Sequence, residues 1–403
     1  MAKALGRIET IGSTLSPAYS LRALWILRLV LGNLILLGSI ITTLGVSWDI
    51  QWHSFVGRDR TLIPPHEMML GGILLSGCVA LVVVCLETAW TRRNPLLAND
   101  STSFANFFHS GLGAYIAGFA ALDAAIAFPL DAYWHALYGI DVSIWAPFHV
   151  MILGGAALVP LGATYMLVSA ARLATRSGDH KTAHLGYLSA IIALGTTMAV
   201  FTYLLADSVD RQGTIGLGGG TFVNVFPFLA GLLVAGLFVA AKYAIPWRWA
   251  ATSVLLVYLA FGVLFMIFVP PATNYLLVLE HLSYRRHIGV FAYLSIVTLQ
   301  AWWLTPIIVA PLIDLFFRRA QHKAWPITKL TTIFALISLI ACLPAAPLDP
   351  IVFLGLAVNV GVIGGVLSLL LGLVGTLAGT WFGRHLGESM QQGESMQRIE
   401  GAA

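Results

Sequence analysis

Ten stretches of this chain are each about 20 or more residues long and almost wholly apolar. That feature limits the fold more than any motif does. A helix crossing the hydrocarbon core of a bilayer needs about 20 such residues, and only helices and closed barrels can satisfy their backbone hydrogen bonds there. The stretches cover roughly 22–47, 66–90, 104–129, 147–171, 184–206, 221–244, 248–270, 289–316, 326–346 and 352–381. Only Ala244-Ile245-Pro246-Trp247 separates the sixth from the seventh. Alternating apolar and polar residues, the mark of a membrane strand, are absent, which excludes a β-barrel. The expected fold is an all-α polytopic membrane helix bundle of about ten transmembrane helices.

Composition points the same way. Only 10% of the 403 residues are charged, 58% are hydrophobic and mean hydropathy is +0.85. A soluble domain usually carries about 25% charged residues to cover its surface. A soluble enzyme, a disordered chain and a nucleic-acid binder are excluded; the net charge of +4 is spread along the chain with no basic stripe. Cys78, Cys85 and Cys342 lie in apolar runs without a CxxC pair, so buried free thiols are expected rather than a zinc site or disulfides. The polar N-terminal stretch lacks an apolar core followed by a small-residue cleavage site, so no removable signal peptide is expected.

Basic residues set the expected orientation. With the N-terminus inside, only Arg58, Arg60, Arg211, Arg285 and Arg286 of the 22 Lys and Arg face out. That bias fits a multi-pass protein of the inner (plasma) membrane with both termini cytoplasmic. The organisation read from this is a cytoplasmic segment over 1–21 and a four-helix module over 22–171. A six-helix scaffold or substrate-access region over 172–383 and a flexible cytoplasmic tail over 384–403 follow.

The outer side is poor in basic residues but not in Asp and His, and these recur. Asp49, Trp52, His53, Gly57 and Asp59 match Asp131, Trp134, His135, Gly139 and Asp141 at an offset of 82. After one inserted residue, Pro64, His66 and Gly71-Gly72 match Pro147, His149 and Gly154-Gly155 at an offset of 83. Each unit reads Asp-x-x-Trp-His, a short loop, then Pro-x-His at a helix start. Asp49 and His53 are i and i+4, on one helix face, and the short loop can return His66 beside them. Asp131, His135 and His149 can do the same. Two imidazoles and a carboxylate suit copper, iron or zinc and leave coordination positions open. Asp59 and Asp141 can orient the imidazoles as hydrogen-bond acceptors. Trp52 and Trp134 flank the ligands. Asp123, two turns before Asp131, is an intramembrane acid and so a functional candidate. The plainer alternative is that Asp and His cap helix ends and the tryptophans anchor the interface.

The first unit, Asp49-x-x-Trp52-His53, then Arg58-Asp59, then Pro64-x-His66, resembles the metal-binding segment of the C subunit of the copper-dependent membrane monooxygenases. That family includes particulate methane and ammonia monooxygenase. The resemblance implies a copper site at Asp49, His53 and His66, activity on a small apolar substrate and partner membrane subunits. It covers about twenty residues. The second unit keeps Asp131, His135 and His149 but has Ile140 where Arg58 stands. Whether two units make one dinuclear or two mononuclear centres stays open at this point.

Other polar residues read more plainly. His109 is expected as a packed core histidine, and His180 and His184 as solvated. The Gly-rich segment from Ala206 to Thr221 reads as a lid or turn. The stretch from Val269 to His287 reads as an interfacial helix whose His281 and His287 are weaker ligand candidates. Asp314 is expected to pair with Arg318 at i+4. The function expected is a metal-dependent, monooxygenase-like oxidoreductase or a subunit of one, alone or as a homo-oligomer. The alternatives are a metal-ion transporter, which needs a polar path through Asp123, His109 and Glu87, and a non-catalytic assembly subunit.

Overall fold

The computed structural model describes residues 17–57, 62–139, 144–208, 213–285, 305–342 and 350–392. Long apolar runs become long helices: α1 (Pro17–Phe55), α2 (Pro64–Arg93), α3 (Leu112–Tyr138), α4 (Pro147–Arg176), α5 (His180–Ser208), α6 (Phe226–Ala244) and α7 (Ala250–Leu279). The shorter α8 (Pro306–His322) and α9 (Ile327–Ser338) follow, then α10 (Pro350–Gln392). The last is two helical segments meeting at Gly361, whose φ of +67° breaks the helical path. Eight of these among the described residues, α1 to α7 and α10, are long and apolar enough to cross a membrane.

The other two expected spans differ. Most of 289–316 lies outside the described residues, and α8 forms its described end. Among the described residues the ninth is α9 with a 3-10 turn to Cys342, which is shorter than a spanning helix. Two expected span starts are β-hairpins instead. Strands β1 (Thr102–Phe104) and β2 (Phe108–Ser110) pair antiparallel before α3, turning through Ala105 and Asn106 at positive φ. Strands β3 (Thr214–Gly218) and β4 (Thr221–Asn224) pair before α6, so the Gly-rich segment read as a lid or turn is a hairpin that turns at Gly219 and Gly220.

The first four spans form a ring in which α1 packs on α2, α3 on α4, α1 on α4 and α2 on α3. The duplication is legible in this packing, because the first helix of each unit lies against the second helix of the other. Within each unit the contact uses a glycine. A Cβ on Gly72 would run into the Gly38 carbonyl and the Thr42 side chain. One on Gly155 would lie 2.5 Å from the Ala120 carbonyl and 2.9 Å from Ala124 Cβ. Gly38 and Ala120, and likewise Thr42 and Ala124, are the same positions of the two units. Small residues bring membrane helices close, where dispersion replaces the missing hydrophobic drive. Elsewhere α10 lies along α6, and α5 packs on α4.

Buried charges lock the end of the bundle remote from the repeated motif. Arg28 Nε and Nη2 each donate to Glu87 at 2.8 Å, and Nη1 donates to Ser169 Oγ at 2.7 Å. Glu87 also accepts from the Gly111 N–H at 2.8 Å. Asp314 pairs not with Arg318 but with Lys242 at 3.0 Å, and accepts the Thr252 N–H at 2.8 Å, capping the first turn of α7. Cys342 is buried, but Cys78 and Cys85 are exposed on α2, contrary to the expectation of buried thiols. An apolar bilayer face accepts a thiol as readily as a core does.

Candidate metal centre

Local sequence builds each site in the same way. Asp49 and His53 end α1, and Asp131 and His135 end α3, each pair on one face. Gly57 and Gly139 follow at φ of +69° and +86°, values that suit glycine just beyond a helix end. The chain reverses, and prolines at the first positions of α2 and α4 start the return helices. His66 and His149 thus fall in the first turn of their helices and face back.

The resulting geometry is nearly the same twice. In the first unit Asp49 Oδ1 lies 3.2 Å from His53 Nε2 and 2.9 Å from His66 Nε2. In the second, Asp131 lies 3.2 Å from His135 Nε2 and 3.4 Å from His149 Nε2. The imidazole centroids are 5.7 Å apart in one unit and 5.6 Å in the other. Within each triad, one ligand atom per residue falls within 4.8 Å of the others, the spacing of a metal's donor set. The six side chains are mostly buried.

Both triads open onto one cleft of about 160 Å³. Its remaining wall is mainly apolar and includes Val46, Ile50, Phe128, Ile144 and Leu153. Phe128 stands edge-on to His66, with centroids 6.1 Å apart, so the helix of the second triad reaches the first. The two groups remain distinct donor sets rather than one merged cluster.

Tautomer and charge decide what the triads fit. The Nδ1 of His135 lies 3.1 Å from the Gly139 carbonyl oxygen. A carbonyl only accepts, so Nδ1 carries the proton and donates it. Nε2 then faces the Asp131 carboxylate oxygen, a pairing that requires a cation between them, either a metal ion or a second proton. Metal-bound histidines commonly hold the other ring nitrogen on a backbone carbonyl in this way. Asp49 Oδ1 and Asp131 Oδ1 are also shielded from solvent without a hydrogen bond of good geometry, despite the imidazoles beside them. The residues fit a bound metal.

Not every candidate reaches the cleft. Asp59 and Asp141 lie outside the described residues. Trp52 packs away from the cleft, against Leu276 and Leu277 of α7, and Trp134 packs on Tyr138 and Phe148. Asp123 is exposed on α3 and does not line the cleft. His281 follows the end of α7 rather than an interfacial helix, also off the cleft, and His287 lies outside the described residues. His109 sits in β2, its N–H donating to Thr88 Oγ1 at 3.0 Å. His184 stacks on Trp247. Sequence reasoning passed over Met69, which lines the cleft three residues after His66; its helical spacing was the available signal.

Comparison of the chain with protein-family models, curated proteins and solved structures finds no match in any of the three.

Proposed function

We propose that this chain is a copper-binding integral membrane protein. Asp49, His53 and His66 hold one ion, and Asp131, His135 and His149 hold another; iron and zinc are the alternatives for the same donors. The observation that carries the reading is the twofold recurrence of the triad around one cleft, with the His135 Nδ1 held on the Gly139 carbonyl and Nε2 facing Asp131. The finer reading is a monooxygenase-like oxidoreductase, or a subunit of one, acting on a small apolar substrate at the outer membrane boundary. It is supported by the likeness of the first unit to the copper monooxygenase C subunit and by the apolar cleft wall. Copper bound there supplies redox chemistry and dioxygen activation, with electrons from an external donor.

The chain's own residues have separate tasks. The imidazoles and carboxylates hold the ion, and the Gly139 carbonyl keeps His135 from rotating. Val46, Ile50, Phe128 and Leu153 receive an apolar molecule and keep bulk water out. Orientation with both termini inside follows from the basic-residue bias, and the bilayer is the route by which such a substrate arrives.

A metal transporter has less support. Beneath the cleft α2 and α3 pack Ala80, Val83, Ala117 and Ala121, all buried, and the buried hydroxyls of Thr42 and Ser76 are tied to the Gly38 and Gly72 carbonyls of their own helices. Glu87, which would serve a transport path, is engaged by Arg28. The test offers membranes containing the protein, copper, a reductant and dioxygen a short alkene. Oxygenated product should form with the parent chain and vanish in an Asp49→Ala/Asp131→Ala variant. Absence of product with the parent, or its persistence in the variant, contradicts the oxygenase reading.

A further inference from the structure

The two triads match closely, but one pair of positions beside them does not. Three residues after His66 on α2 stands Met69, and three after His149 on α4 stands Ile152. Both follow their histidine on the same helix face. Both line the shared cleft, and both are buried, each 5% exposed. The difference extends to the opposite helix. Met69 lies against Gly45, where a Cβ would come within 2.7 Å of the methionine Cγ. Gly45 is one turn before Asp49, and its counterpart one turn before Asp131 is Ala127. An added Cβ at Gly45 would also meet the Met69 backbone N at 2.8 Å, so this glycine lets the two helices approach at the methionine. The first unit pairs glycine with methionine where the second pairs alanine with isoleucine. A thioether is a soft donor, whereas isoleucine offers no donor atom.

From this juxtaposition we infer that the Met69 thioether is a further ligand at the first centre, making the two centres chemically unequal. The inference rests on the reading of the triads as copper sites. Thioether sulfur favours Cu(I), while imidazole and carboxylate serve Cu(II) as well. The first centre then holds copper in the reduced state more firmly than the second. The second keeps a purely nitrogen and oxygen donor set. The cleft between them exposes one small molecule to two copper centres of unequal reduction potential, the first the higher. The alternative role for Met69, filling an irregular gap in the core, predicts no bond to copper.

Copper-edge X-ray absorption on the full-length protein in detergent, loaded with two equivalents of Cu(I), tests this. The parent should show one sulfur scatterer for every two coppers. Met69→Ile should lose the sulfur signal while retaining both coppers, and Ile152→Met should raise it to one sulfur per copper. A parent spectrum containing only nitrogen and oxygen scatterers overturns the thioether ligand and leaves the triads standing as copper sites. So does a sulfur signal that survives in Met69→Ile, because it then comes from another residue. A parent that binds no copper overturns this inference together with the reading beneath it. The parent spectrum decides the matter even where a variant fails to fold.

Discussion

His135 and Gly139 are one helical turn apart, and the imidazole Nδ1–H of the first donates to the carbonyl oxygen of the second at 3.1 Å. Gly139 holds φ at +86°, where an L side chain is strained. Gly139→Ala should move that carbonyl and free the ring. Loss of an orienting partner usually costs about 10–100-fold in metal affinity. Metal titration should show that loss at the centre of Asp131, with the Asp49 centre unchanged. Equal affinities in parent and variant would deny His135 its orienting contact.

The paired glycines of each repeat make a second, internally controlled prediction. Gly72→Ala and Gly155→Ala place a methyl against backbone of the neighbouring helix. Each should destabilise the protein by about 1–3 kcal/mol, the usual cost of overpacking. Their neighbours Gly71 and Gly154 have nothing within 4 Å of an added Cβ. Alanine there should be neutral or stabilise by up to about 1 kcal/mol through helix propensity. Thermal unfolding in one detergent compares all four. Equal effects at Gly71 and Gly72 would count against the close approach of α1 and α2.

At the remote end, Arg28 and Glu87 are each 2% exposed. Glu87→Gln leaves a buried guanidinium without its counter-charge, which typically costs about 3–5 kcal/mol. An Arg28→Met/Glu87→Leu pair should recover much of that loss. Arg28 and Asp49 are 21 residues apart on α1, about 30 Å at 1.5 Å per residue. Metal content of the folded fraction should therefore stay unchanged. A fall in metal content at unchanged stability would link the two ends.

Asp179 caps α5 from outside the membrane-spanning segments. The Thr182 N–H and hydroxyl donate to its carboxylate at 3.1 and 2.8 Å and hold its pKa below the ordinary 3.8. A lowered pKa means that the cap stabilises fully above the ordinary value and is lost as pH falls through the lowered one. Asp179→Ala should lower the melting temperature at pH 7, and the gap to the parent should close in acid. A gap that widens on acidification would contradict the cap.

The parts of this structure legible in the sequence are those set by short range and period. Spans follow from apolar length. The triads follow from i, i+4 spacing, a short turn and proline, with the offset of 82–83 residues linking the two copies. The hairpin around Phe104 and Phe108 was hidden because a short apolar run reads alike in helix and strand. The pairing of Asp314 with Lys242 was hidden because the local Arg318 satisfies the same rule, and only the fold brings α6 beside α8. Arg28 and Glu87, 59 residues apart, carry no periodic signal at all. That both triads share one cleft depends on how α1 meets α4 and α2 meets α3, which no spacing within a unit encodes.

Metal content tests directly whether each triad holds an ion. The protein is purified in detergent, and copper, iron and zinc are quantified per chain for the parent, His53→Ala and His135→Ala. Two metal ions are expected in the parent and one in each variant. No metal in the parent, or unchanged content in both variants, would contradict this expectation.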